Sequence, residues 1–171
     1  MSCYLGIDPG VSGGFGVVGS EKYVEPMPDT EKDIWDWISS RFDPEDTFAV
    51  IEKVGGFIGG NPAPGSAMFK FGASFGALRM ALTAADIPFE AITPQRWQKG
   101  LGIPPRKKHD KTRTVRISKG KNKGRWRSER CGGETSSDFK KRLRSHAQKL
   151  FPKIKVTKDT ADALLIAEFC R

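Results

Sequence analysis

The 171 residues suffice for one domain with a full core, and a single domain spanning 1–171 is expected. Cys3, Cys131 and Cys170 are odd in number, widely spaced and free of any C-x-x-C pattern, which excludes a disulfide framework and a zinc ribbon. No apolar run approaches the ~18 residues of a membrane span and no basic-then-apolar leader is present, so a cytoplasmic protein with no membrane contact is expected.

The net charge of +9 is concentrated in one place. Between Pro104 and Cys131 lie twelve Lys and Arg: Arg106, Lys107, Lys108, Lys111, Arg113, Arg116, Lys119, Lys121, Lys123, Arg125, Arg127 and Arg130. Only Asp110 and Glu129 oppose them, so the rest of the chain is close to neutral. A near-neutral body with one strongly basic arm suits a phosphate-backbone binder, and these residues, Arg130 apart, are the expected DNA contacts. A solvated, mobile tether is the competing reading of the Lys/Gly-rich stretch KGKNKGRW, and the two can alternate with and without nucleic acid.

In chain order, CYLGID reads as a strand ending at Asp8. The turn-forming PGVSGG leads into a second strand, FGVVG, and EKYVE supplies a third. Asp29 or Thr30 can cap a helix whose Ile34, Trp37, Ile38 and Phe42 follow helical spacing. TFAVIEKV is a buried strand carrying Glu52, and GGFIGGNPAPG is a loop. A helix from Ser66 to about Ala85 carries the small residues Gly72, Ala73, Gly76 and Ala77, a stripe suited to tight packing on the sheet or to a second copy of the chain.

IPFEAITP is a further strand, and QRWQKGLGI a short connection into the basic segment. The next helix, SSDFKKRLRSHAQKLF, is capped by Ser136 or Ser137 and aligns Phe139, Leu143, Ala147 and Leu150. The last, TKDTADALLIAEFC, has Thr157 as its candidate cap. A hairpin followed by alternating strands and helices predicts an α/β layer structure with a mixed sheet.

Four carboxylates are embedded in apolar sequence: Asp8, Glu52, Asp159 and Asp162. Each can cap a helix or face water by itself, but a shared cation compensates all four at once. Asp159 and Asp162, three apart at a helix start, project from one face. Adjacency of the Asp8 and Glu52 strands would complete the set. Like charges this close raise one another's pKa, so the cluster calls for metal, and all-oxygen ligands suit Mg²⁺ or Mn²⁺. Two ions about 3.5 to 4 Å apart can activate water and stabilise the leaving oxygen in phosphodiester hydrolysis.

LGIDPG, VIE and D-x-x-D-A-L, in this order, resemble the RuvC-type Holliday junction resolvases of the ribonuclease H-like superfamily. The resemblance spans the chain apart from about residues 104–135, a basic insertion before the last two helices. It implies a ribonuclease H-like fold, a homodimer, paired nicking of four-way DNA junctions, and Asp8, Glu52, Asp159 and Asp162 as ligands of two Mg²⁺ per site. It also implies lysines near the scissile phosphate. Lys140 fits one place; for the other, Pro94 to Gln98 matches P-x-x-V-K with Gln98 where Lys is expected and Lys99 one position on. An aromatic residue near the junction centre is implied too, with Phe57 the candidate, two residues late.

Three rival readings are a broader nuclease for flaps, Y-forks or RNA/DNA hybrids, a non-cleaving junction-binding protein, and an actin-like ATP-binding fold suggested by D-P-G-x-S-G. The chain is short for the last, and no nucleotide cofactor is expected.

Overall fold

The computed structural model describes residues 2–53 and 65–171. The Gly/Pro-rich loop and its Phe57 lie outside the described residues.

The chain opens with β1 (Cys3–Asp8), β2 (Gly14–Val18) and β3 (Lys22–Pro26), an antiparallel meander. Helix α1 (Glu31–Ser39) leads to β4 (Thr47–Glu52), and α2 (Gly65–Ala84) leads to β5 (Phe89–Ile92). β4 pairs parallel to β1 and β5 parallel to β4, giving a five-stranded mixed sheet of order β3-β2-β1-β4-β5. The predicted α/β architecture is therefore present.

Strand alternation divides the core into two layers. Leu5, Ile7, Phe15, Val17, Ala49 and Ile51 face α1 and α2 and pack with Ile34, Trp37, Ile38, Leu78 and Leu82. Val18, Val50 and Ile92 face the opposite way, toward α3 (Pro94–Gly100), α4 (Ser136–Leu150) and α5 (Ala161–Cys170). Each fully buried large apolar side chain contributes about 1.5–3 kcal/mol, so both layers are needed to hold the sheet.

Several sequence expectations need correction. Thr30 is the cap of α1, accepting from the Asp33 amide at 3.1 Å, and Phe42 lies beyond that helix and packs on Trp37 from the loop. In α2, a Cβ added at Gly72 or Gly76 would meet none of the described residues within 4 Å. Those glycines thus do not pack on the sheet. Residues 94–100 form a helix where a connection was expected, with Pro94 in its first turn after Thr93, a favoured start because proline there sacrifices no helical hydrogen bond. Thr135, not Ser136 or Ser137, caps α4, and Leu150 is exposed while Phe151 takes the inward position. α5 begins only at Ala161; Thr157 bonds the Thr160 amide in the turn before it.

The basic segment is also ordered differently from a tether. β6 (Lys111–Arg116) and β7 (Trp126–Cys131) form an antiparallel ribbon with Lys111 opposite Cys131 and Arg116 opposite Trp126. Thr112, Thr114 and Val115 supply the β-branched residues that favour the extended chain, and Gly120 and Gly124 have the positive φ its tip requires.

Candidate active site

The two strand acids come together through register. Ile7 is the partner of Ile51 in the parallel β1–β4 pair, so Asp8 and Glu52 are the next residues on adjacent strands, at their C-terminal ends. Asp8 shares its face with Gly6, and Glu52 with Val50, which packs against α5. Both therefore lie on the α5 side of the sheet.

α5 reaches them because two glycines let it touch the sheet. Gly6 and Gly16 are partners across β1–β2, and a Cβ on Gly6 would stand 2.2 Å from both the Ala163 oxygen and the Ala167 nitrogen. A Cβ on Gly16 would meet the Ala163 backbone at 2.6 Å. Asp162, in the first turn of α5, is thereby brought to the ends of β1 and β4. Asp159 is exposed in the preceding turn, so the two aspartates do not share a helix face as predicted, although the charge of Asp159 reaches both Asp8 and Asp162.

These carboxyls feel one another strongly. Burial, then the charges of Asp162 and Glu52, hold Asp8 well above the usual carboxylate range. Burial raises Glu52 to about 7, against the opposing hydrogen bond from Trp97. Asp162 is raised to about 6 by burial, with the Lys140 charge opposing and Asp159 adding. Lys140, exposed on α4, is the cation that lowers all three. Lys99 instead lines a cavity of about 380 Å³ with Gln95, Gln98 and Pro104, among others.

Sequence reasoning missed Trp97. Its fully buried indole donates Nε1–H to Glu52 Oε2 at 2.8 Å, fixing that carboxylate from α3. The Thr93–Pro94 start signal could have revealed the helix that carries it. It also missed Arg142, which grips Glu134 through Nε and Nη2, both at 2.9 Å, and donates to the Pro104 carbonyl at 3.0 Å. Arg142 thus ties together the two feet of the basic ribbon.

Among the described residues, no three His, Cys, Asp or Glu side chains close into a set able to hold an ion as they stand. The donor chemistry nevertheless fits a hard cation, because Asp162 Oδ1 is buried with no hydrogen-bond partner among the described residues. The predicted DNA contacts Lys99, Arg106, Lys107, Lys108, Lys111, Arg113, Arg116, Lys119, Lys121, Lys123, Arg125 and Arg127 are all exposed. No helix among the described residues is long and apolar enough to cross a membrane.

The mixed five-stranded sheet with acids at the ends of its central strands and on the last helix defines a ribonuclease H-like α/β fold. Thermus thermophilus RuvC in complex with a Holliday junction substrate superimposes with a TM-score of 0.58 at 18% identity, over 99% of this chain and 92% of that one. A second T. thermophilus RuvC structure gives 0.54 at 17% identity, over 98% and 92%. The shared property at such identities is the fold. No protein-family model matches the sequence, and no curated protein does.

Proposed function

We propose that this chain is a RuvC-type, metal-dependent endonuclease that resolves four-way DNA junctions by paired nicks. The observation that carries the reading is the convergence of Asp8, Glu52 and Asp162, with the unpartnered buried oxygen of Asp162, on a fold shared with RuvC. Asp8, Glu52 and Asp162 would hold Mg²⁺ or Mn²⁺, with Asp159 added from the adjoining turn. Bound there, two such cations supply charge neutralisation at the phosphate and a lowered pKa for the attacking water.

The chain's own residues do the rest. Trp97 holds one oxygen of Glu52, leaving the other for a cation. Lys140 supplies positive charge at the mouth of the cluster, where a phosphate would lie. The basic ribbon neutralises the DNA backbone beyond it. Paired cuts need two sites, and α2 offers a surface for a second copy, exposing Phe69 and Met80 beside the open Gly72 and Gly76.

The test is nicking of an immobile four-way junction with Mg²⁺, beside a matched linear duplex and Y-fork, for wild type and Asp162→Asn. Symmetric cuts confined to the junction and lost in the variant are expected. Equal cutting of the fork refutes junction selectivity, and binding without cutting in any divalent metal refutes the enzyme. Light scattering that gives a monomer both free and on DNA refutes the dimer.

A further inference from the structure

The ribbon's two faces are chemically different. Residues directly opposite each other in an antiparallel pair share a face. On one face, Arg113 and Arg127 both pair with Glu129, at 3.4 Å for Arg113, and Val115 is half-buried. Its charge is partly neutralised by Glu129.

The other face has no acid. Thr114 lies opposite Ser128 and Arg116 opposite Trp126, with Thr112 continuing the row; all five are exposed. Trp126 is 67% exposed and flanked by arginines, a costly place for an indole without a partner. Arg116 spends only its Nε, on the Gly124 carbonyl at 3.3 Å, leaving its terminal nitrogens without a hydrogen-bond partner among the described residues. From Lys111 to Cys131 nine Lys and Arg face a single Glu, so a polyanion is the complementary surface.

Dimensions select the form of that polyanion. A six-residue strand spans roughly 20 Å, and a two-stranded ribbon fits the ~12 Å major groove of B-DNA. Among the described residues β6 and β7 pack extensively only on each other, and Arg142 ties their feet to α4, so the ribbon can enter a groove without disturbing the sheet.

We propose that the Thr112, Thr114, Arg116, Trp126 and Ser128 face docks into the groove of a duplex DNA arm, with the lysines of the tip on the flanking phosphates. Short hydroxyls permit close approach to base edges, Arg116 donates to them or to phosphate, and Trp126 packs on the groove wall. The inference rests on the junction-nuclease reading for its substrate, but its test does not depend on cutting.

The experiment is fluorescence anisotropy of the full-length protein on a linear duplex in EDTA. Arg116→Ala/Trp126→Ala should bind about tenfold or more weakly, a larger loss than Arg113→Ala on the opposite face causes. In a Trp35→Phe background, duplex should shield the Trp126 emission from acrylamide; Trp37 and Trp97 are buried and silent in that assay. Wild-type affinity in the double variant, or an unshielded Trp126 on bound DNA, overturns the docking face even if the ribbon of the variant has melted. Junction nicking without any duplex affinity overturns the ribbon's role and leaves the nuclease intact. Ribbon-dependent duplex binding without nicking supports the ribbon and sinks the nuclease.

Discussion

Gly6→Ala is the sharpest test of how the fold builds the site. The added methyl carbon would stand 2.2 Å from Ala163 oxygen and Ala167 nitrogen, both helix backbone that cannot rotate aside. Restoring ordinary contact near 3.4 Å moves α5 outward by roughly 1 Å. Overpacking of this kind costs about 1–3 kcal/mol, or roughly 2–12 °C in Tm for a chain of this size. The effect on nicking should be larger, because a 1 Å misplacement can cost about 100-fold and Asp162 rides on the displaced helix. Calorimetry and single-turnover nicking of a four-way junction with Mg²⁺ measure the two. A variant with unchanged Tm and unchanged nicking would refute the claim that the Gly6–Gly16 pair sets the position of Asp162.

Trp97→Phe keeps an aromatic ring in the core but removes the donor to Glu52; a hydrogen bond to a charged group contributes about 1.5–3 kcal/mol, so the Glu52 pKa should rise by roughly one to two units and the pH–rate profile of nicking should move alkaline by as much. Asp8, Glu52 and Asp162 are all raised, so the native state holds protons that the unfolded chain has released: their contribution to the stability of the metal-free protein is fully present below about pH 4 and is lost as pH rises, through about 6 for Asp162 and about 7 for Glu52, as read from Tm in EDTA. Asp162→Asn removes one charge from that cluster and should raise the metal-free Tm at pH 8 by a few degrees while abolishing nicking; a lower Tm would contradict the account. Mg²⁺ should raise the wild-type Tm more at pH 8 than at pH 5.5, since ligation requires deprotonated carboxyls, and an equal rise at both would contradict it. Arg142→Met should weaken duplex binding several-fold by loosening the ribbon's feet, leaving the pH–rate profile unmoved; a shifted profile would place Arg142 in the acid site instead.

The strands and the order of the acids were legible because both are local. Short apolar runs bounded by turn residues mark β1, β2 and β4, and a carboxylate at the end of a Val/Ile run is conspicuous. What escaped depends on contacts distant in sequence. Gly6 and Gly16 look like weak points in strands until α5 is found lying on them, though a glycine inside a strand is itself a sign of close approach. Trp97 is 45 residues from the carboxylate it holds. The strands of the basic segment were not legible because charge dominates its composition, yet its β-branched residues pair across a glycine-bearing tip. Asp159 was misplaced by one helical turn because Thr157 and Thr160 both offer caps, and a reciprocal bond between them shifts the start to Ala161.

α4 explains why the acid cluster and the basic ribbon belong to one machine. Lys140 and Arg142 are two residues apart, and positions i and i+2 on a helix point to different sides. From one side the Lys140 charge reaches Asp8, Glu52 and Asp162; from the other Arg142 binds Glu134 and the Pro104 carbonyl at the two feet of the ribbon. Leu143 and Ala147 anchor the same helix in the core beside α5, which carries Asp162. On the proposed reading, a DNA strand held by the ribbon would be indexed to the acids through a rigid helix, not through a loop. The repulsion among the carboxyls would then have a use: it would keep the cluster poised for cations and for a phosphate beside Lys140, while the shared anchor would fix how far from the ribbon that phosphate can lie.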